Sequence, residues 1–198
     1  MNKHKTQNLT YLAFFGALEA IMMMVPFLGF IPIGPLRATT LHIPVIIAAI
    51  VLGPEDGCIV GFIFGLLSLI NNTVNPTVTS FVFSPFISGN ILSAVIAIVP
   101  RMMIGFVSGH IYRLLKDRFD TIAMSVSAIL GALTNTVLVL GGIYLLFGSS
   151  YANAIGKSFE ALLPYFITII TTQSLLEAVV GMFISVAVSK ALLHVIRK

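Results

Sequence analysis

The sequence predicts an all-α integral membrane protein with six transmembrane helices in a single transmembrane domain, residues 1–198. Of these 198 residues, 58% are hydrophobic and only 9% are charged, and the mean hydropathy is +1.05. A soluble domain has about 25% charged residues, so this chain cannot cover a soluble surface, which excludes soluble enzymes and nucleic-acid-binding domains. A transmembrane helix needs about 20 apolar residues, and six such helices with short connectors account for the whole length.

Helix-breaking or polar residues end each of the first three predicted helices. The first covers about 9–28 and ends in a segment with three prolines and two glycines between residues 26 and 35, which a regular helix cannot continue. The second, about 41–52, is short for a full crossing and stops at the polar turn 53–57. The third runs from that turn to about residue 70, where a polar segment begins.

The last three predicted helices are longer and are separated by charged or polar connectors. The fourth covers about 90–115 and ends in a charged run, and the fifth covers about 122–147. A looser segment, 148–160, leads into the sixth helix, about 161–188, which a basic tail follows.

The basic residues of the connectors predict the orientation of the chain. If the N-terminus is inside, the connectors on that side carry eight Lys and Arg residues, and those on the other side carry two, Arg37 and Lys157. Because cytoplasmic loops carry the basic excess, both termini are predicted to be cytoplasmic. The irregular connectors then lie outside. Since non-helical backbone near a membrane is tolerated where it lines a wet cavity, we expect an outward-opening ligand cavity.

Three charged residues, Glu19, Arg101 and Glu177, lie near the middle of predicted spans. Each costs about 2.5–3.5 kcal/mol on insertion scales unless it is paired or hydrated. One interpretation is an ion pair between Arg101 and either glutamate that fixes helix packing. The other is that Arg101 faces the cavity and binds an anionic group of a ligand, because its planar guanidinium suits a carboxylate.

Neutral polar residues occur at similar or shallower depth. Asn90 opens the fourth span, Asn135 lies in the fifth and Gln173 in the sixth. Each alone is explained by an interhelical hydrogen bond worth about 0.6–2 kcal/mol. Together with Arg101 they supply the few polar groups that a ligand pocket needs among apolar walls. His42 is either a ligand contact or a residue that fixes a loop.

Small residues recur at helical spacing in three of the predicted spans. Gly57, Gly61 and Gly65 in the third span and the glycines of the fourth indicate close helix packing. Ala13 and Ala17 share one face of the first span, which indicates either packing within the bundle or contact with another protein.

No motif indicates a metal site, a cofactor site or catalysis. Gly156-Lys157-Ser158 resembles the end of a phosphate-binding loop, but Tyr151 stands where that motif needs its first glycine. The four histidines lack the spacing of metal ligands.

Several motifs are spread over the chain, and their combination is recognisable. They are residues 40–47 with Leu52-Gly53-Pro54, residues 80–86, Pro100-Arg101, Thr134-Asn135-Thr136, and Ile143-Tyr144 with Phe147 and Tyr151-Ala152. With these motifs the whole chain resembles the substrate-binding S components of energy-coupling factor (ECF) vitamin transporters, most of all the pantothenate-specific members.

The resemblance implies vitamin uptake across the bacterial plasma membrane without enzymatic chemistry. An S component binds its vitamin from outside and associates with a transmembrane coupling subunit and two ATPase subunits, which use the ATP. It is thought to topple in the membrane and so carry its site toward the cytoplasm. Ala13 and Ala17 match the small-residue motif by which S components dock on the coupling subunit.

For pantothenate, the residues and the resemblance together predict a set of ligand contacts. Arg101 would pair with the carboxylate, and Asn135, Asn90 and Gln173 would hydrogen-bond the remaining polar groups. His42 and Phe81 would contribute from outer loops. The alternatives are an S component for a hydroxymethylpyrimidine or pyridoxine-type precursor, a self-sufficient channel or carrier, and, more remotely, an intramembrane enzyme.

Overall fold

The computed structural model describes residues 3–33 and 36–196, most of which are helical. The helices are α1 Lys3–Met24, α2 Pro26–Gly29, α3 Ile43–Val51, α4 Pro54–Val74, α5 Pro85–Ser88, α6 Leu92–Leu115, α7 Asp120–Ala154, α8 Leu162–Ile169 and α9 Leu175–Ile196. Single turns of 3₁₀ helix occupy Ser80–Val82 and Phe159–Ala161, and a π-helical segment, Ile170–Ser174, joins α8 to α9.

The predicted class of helical membrane protein is confirmed. Within the described residues, α4, α6, α7 and the continuous helical stretch Phe159–Val195 are long and apolar enough to cross a bilayer. Helix α1 has 22 residues but carries Glu19 in its interior. Helix α3 has nine residues, about 14 Å at 1.5 Å per residue, and residues 43–50 of it are buried in the bundle.

A short β-hairpin is an element that the all-α prediction did not contain. Strand β1, Phe30–Ile33, pairs antiparallel with β2, Leu36–Thr39. The N–H of Thr40 donates to the carbonyl of Gly29 (3.0 Å) and closes the base of the hairpin. The prolines and glycines that end the first helix prevent the chain from continuing as a helix, and the two short extended runs pair with each other although only part of their residues, such as Phe30, Ile31 and Thr39, are of β-favouring types.

Helices α4, α7 and α9 extend beyond their predicted ends, and α9 runs to Ile196 instead of about residue 188. Helix α4 continues to Val74, into the segment predicted to be extended, and α7 continues to Ala154, past the predicted end at 147. At 35 residues, α7 is about 52 Å long, well beyond the ~30 Å hydrocarbon thickness. The polar residues after 147 do not break a helix, and the chain turns only at Gly156, where φ is +68°.

Helices α4 and α6 pack backbone against backbone through their glycines. A Cβ on Gly105 of α6 would overlap the backbone of Gly57, and one on Gly109 would lie 2.5 Å from the Cα of Pro54. A Cβ on Gly61 of α4 would overlap the carbonyl of Arg101. The packing interpretation of these glycines is confirmed, and the contact fixes the backbone of Arg101 against α4.

Replacing Gly105 with Ala is therefore expected to destabilise the protein. The new methyl group must separate α4 from α6, which outweighs the gain of about 0.5–1 kcal/mol in helix propensity. The measurement is the thermal unfolding midpoint in detergent. The matched control is Gly141→Ala in α7, where a Cβ meets no atom within 4 Å, so its midpoint should equal or exceed that of the wild type. Equal midpoints for both variants would contradict the packing account.

Candidate ligand-binding site

A cavity of about 300 Å³ lies between α4, α6, α7 and α9, under the connector that joins α4 to α6. Its volume falls at the lower end of the range for small-molecule sites, about 300–1,000 Å³. The polar and charged residues of its lining are Thr39, His42, Ser68, Asn71, Asn72, Arg101, Asn135, Thr136, Ser174 and Glu177. The apolar ones are Met23, Leu41, Phe64, Phe83 and Ala132.

Arg101 provides the positive charge of this cavity. Its side chain is 8% exposed, and its Nη1 donates a hydrogen bond to the carbonyl of Ile96 (2.9 Å). Its Cζ lies 5.1 Å from the ring centroid of Phe83 and 5.6 Å from that of Phe64. Two rings at this distance offer cation–π stabilisation of up to about 2 kcal/mol when the cation is desolvated.

No carboxylate of the described residues neutralises Arg101. Among the described residues, the ion pair that forms joins Arg113 to Glu55 (3.0 Å), and both side chains are exposed. Glu177 lines the cavity without reaching ion-pair distance of Arg101, and Glu19 is buried on α1 outside the lining. The guanidinium is thus held in the protein interior by rings and a backbone carbonyl.

Three of the lining residues carry buried polar atoms that lack a hydrogen-bond partner among the described residues. These atoms are Arg101 Nε, Asn135 Oδ1 and His42 Nε2. Because nearly all buried polar groups in folded proteins are hydrogen-bonded, such a cluster is unusual, and a polar group that entered the cavity would find these atoms available. His42 lies against Gly181 of α9, where a Cβ would be 2.7 Å from its Nε2.

The π-helical segment at 170–174 shapes the wall formed by α9. Ser174 and Glu177 line the cavity, and Gln173 Nε2 donates to Glu177 Oε1 (2.9 Å). Single π turns inside α-helices occur often at functional sites, because the extra residue rotates the side chains that follow. Gln173, which was predicted to bind the ligand, is outside the lining and contacts the site through this bond to Glu177.

The structure brings some of the sequence-predicted residues together and places others elsewhere. Arg101, Asn135 and His42 share the cavity. Asn90 and Phe81 are outside its lining. Asn90 Oδ1 accepts the N–H of Leu92 (3.0 Å) at the start of α6, and the ring of Phe81 packs edge-on against that of Phe147, with centroids 6.0 Å apart.

Sequence reasoning missed several residues that line the cavity. Phe83 belongs to the same aromatic segment as Phe81, and its ring lies over the guanidinium of Arg101. Asn71 and Asn72 stand in the polar end of α4, where the sequence indicated a connector. Glu177 was noticed as a buried charge but was considered only as a partner of Arg101.

Hydrogen bonds tie the connector above the cavity to α4. The buried Ser80 Oγ donates to Asn72 Oδ1 (2.8 Å) and accepts the N–H of Thr77 (2.9 Å). Farther along, the hydroxyls of Thr73 and Ser84 are 2.8 Å apart. Because Phe83 lies between Ser80 and Ser84, these bonds hold its ring over Arg101.

Replacing Ser80 with Ala is expected to lower the stability of the protein. The variant leaves the oxygen of Asn72 and the N–H of Thr77 without their partner, at a cost of about 1–3 kcal/mol. The thermal midpoint in detergent should fall, and the backbone amides of 77–84 should exchange hydrogen faster. Ser125→Ala is the control, because the Ser125 hydroxyl bonds only the carbonyl of Thr121 in its own helix (2.9 Å). Unchanged exchange in the Ser80 variant would show that these bonds do not hold the connector.

Comparisons with known proteins show what the chain is similar to. A family model described as the substrate-specific component of ECF transporters matches residues 7–189. The pantothenic acid transporter PanT of Lactococcus lactis subsp. cremoris is 32% identical over 199 residues, which cover 97% of this chain and 96% of that protein. The pantothenate transporter PanT of Leuconostoc mesenteroides subsp. mesenteroides is 29% identical over 205 residues, covering 98% of this chain and 96% of the relative.

Proposed function

We propose that this chain, which belongs to the family of substrate-specific components of ECF transporters, captures pantothenate from outside the bacterial cell and delivers it for ATP-driven uptake. Family membership confirms the resemblance seen in the motifs and makes the chain a multi-pass membrane protein of a transport system. The observation that carries the choice of ligand is the buried guanidinium of Arg101, which lines a cavity and has no carboxylate partner among the described residues. Both relatives compared above are pantothenate transporters by name.

Pantothenate has one carboxylate, one amide and two hydroxyls, and the cavity offers groups that suit each of them. Arg101 would bind the carboxylate through charge-assisted hydrogen bonds, which are about twice as strong as neutral ones. Asn135 would bond the amide or a hydroxyl, and His42 would contribute from the turn before α3. Gln173 would act through Glu177. Contacts from Asn90 and Phe81 require the outer connector to move when the ligand binds.

Glu177 favours one orientation of the bound ligand in the cavity. An ionised carboxylate accepts hydrogen bonds but repels another carboxylate. Its presence in the same cavity as Arg101 favours a ligand whose anionic end meets Arg101 and whose hydroxyl end donates to Glu177. A ligand with an anion at both ends would meet repulsion in either direction.

The finer topology is part of the proposal. We infer six membrane segments, which are the four long helical stretches, α1, and α3, which at about 14 Å is too short to cross the bilayer by itself and lies buried in the bundle. The eight-to-two distribution of basic residues between the two sets of connectors supports cytoplasmic termini and a cavity that opens outward.

The proposed partners follow from the family. The chain would associate with a transmembrane coupling subunit and two ATPases, which consume the ATP, while the chain itself uses no cofactor and catalyses no reaction on the vitamin. Ala13 and Ala17 are exposed on α1, which supports a docking face there.

The alternative ligands are less well supported. A neutral hydroxymethylpyrimidine or pyridoxine-type precursor would leave Arg101 a structural role, paired with Glu19 or Glu177, and neither pair forms within the described residues. The intramembrane enzyme and the self-sufficient carrier are disfavoured by membership of a transporter-component family.

Replacing Arg101 with Ala should abolish most pantothenate binding. Loss of charge-assisted hydrogen bonds to a carboxylate is worth about 3 kcal/mol, or roughly 100-fold in affinity. Calorimetric titration of the purified protein measures it. Arg113→Ala, which removes an exposed arginine, is the control and should bind like the wild type.

The identity of the cargo is tested separately on the wild-type protein. In a thermal-shift screen of water-soluble vitamins, pantothenate alone should raise the unfolding midpoint substantially, since a ligand stabilises the state that it binds. A large shift with a neutral vitamin precursor and none with pantothenate would overturn the proposed cargo.

Replacing Ala13 and Ala17 together with Leu should weaken assembly with the coupling subunit. The larger side chains keep the helix backbones apart at a small-residue contact. Co-purification of the ATPase subunits should fall several-fold, while pantothenate binding to the isolated chain stays unchanged. Full assembly of the variant would exclude this face as the docking surface.

A further inference from the structure

The helix that carries Arg101 contains a proline in its interior. Pro100 is buried in α6, eight residues after the helix begins at Leu92. Proline has no backbone N–H, so it cannot make the bond to the carbonyl four residues earlier, which is that of Ile96. A buried carbonyl left in this way needs another donor, because a buried acceptor without a partner destabilises the folded protein.

The Ile96 carbonyl accepts a hydrogen bond from the side chain of Arg101, the residue that follows Pro100. Arg101 Nη1 lies 2.9 Å from this oxygen in a buried hydrogen bond. The arginine side chain thus folds back along its own helix, toward the helix start, and occupies the place that a main-chain N–H takes in a regular helix. Of the buried side-chain polar atoms of Arg101, Nε has no partner among the described residues.

We propose that Pro100 is a positioning residue for ligand binding. It frees the Ile96 carbonyl, which then fixes one arm of the guanidinium while other N–H groups of Arg101 remain for the ligand carboxylate. A guanidinium has five N–H donors in a rigid plane, so fixing one of them orients the rest. The rings of Phe64 and Phe83 flank this plane, and the hydrogen bond to Ile96 fixes the position of the guanidinium along α6.

The hydrogen bond to the Ile96 carbonyl preorganises the Arg101 side chain for ligand binding. An arginine side chain has many rotamers and loses conformational entropy when it becomes fixed. If the bond to Ile96 is already in place, this cost does not reduce the affinity for the ligand. This inference rests on the proposed function, in which the ligand carboxylate binds Arg101.

The variant that tests the inference is Pro100→Ala. Alanine restores the N–H, which then bonds the Ile96 carbonyl in the regular helical geometry and competes with Arg101 for it. The helix itself gains a hydrogen bond, so we expect a thermal midpoint at or above that of the wild type. Pantothenate affinity should nevertheless fall about tenfold, as expected for losing one hydrogen bond of about 1.4 kcal/mol.

A double-mutant cycle distinguishes the positioning of Arg101 by Pro100 from a general change in the shape of α6. Pro100→Ala is compared with wild type, and Pro100→Ala/Arg101→Ala with Arg101→Ala, by titration with pantothenate. The inference predicts a tenfold effect when Arg101 is present and less than twofold when it is absent, because the effect acts through the guanidinium. The same loss in both backgrounds, or no loss in either, would overturn it.

A ligand-free measurement keeps the inference testable even if pantothenate is the wrong cargo. Side-chain ¹⁵N NMR of the protein in detergent reports rotation and exchange of the Arg101 guanidinium. Restricted, resolved Nη signals are expected in the wild type, and averaged signals in Pro100→Ala. Identical spectra would overturn the positioning role. If the wild type failed to bind pantothenate while the spectra differed as expected, the proposed function would fail and the positioning role would stand.

Discussion

A guanidinium in the interior of a membrane protein must be stabilised there, and this requirement organises the centre of the chain. Glycine contacts between α4 and α6 fix the backbone of Arg101. The rings of Phe64 and Phe83 face its charge, and the carbonyl of Ile96 accepts one of its N–H groups. None of these groups is anionic, and an arginine that the described residues hold through neutral groups is suited to binding an anion that arrives with its own charge.

The broad fold could be predicted from the sequence because hydrophobic runs of helical length leave few alternatives in a membrane. The glycine spacing likewise predicted close packing in the third and fourth spans. What could not be predicted depends on tertiary contacts. The hairpin forms from residues that only meet after α1 ends, and the extension of α7 to Ala154 needs packing partners that hydropathy does not encode. The π segment at 170–174 has no signal in composition or periodicity.

Part of the candidate site could also be predicted from the sequence. Arg101, Asn135 and His42 are polar residues in apolar surroundings, which is visible in a sequence, and all three line the cavity. Phe83 and Phe81 are alike in sequence, and only the fold of the connector decides which ring lies over the arginine. The role of Pro100 was also hidden, since a proline beside an arginine acquires meaning only once the carbonyl four residues back is seen to accept from that side chain.

Recognition of the pantothenate carboxylate by Arg101 can be measured on the unaltered protein. Calorimetric titration would compare pantothenate with pantothenol, in which a primary alcohol replaces the carboxylate and every other group is the same. We expect the alcohol to bind roughly 100-fold more weakly, as a neutral group cannot form charge-assisted bonds with the guanidinium. Equal affinities for the two compounds would show that the arginine does not recognise the carboxylate.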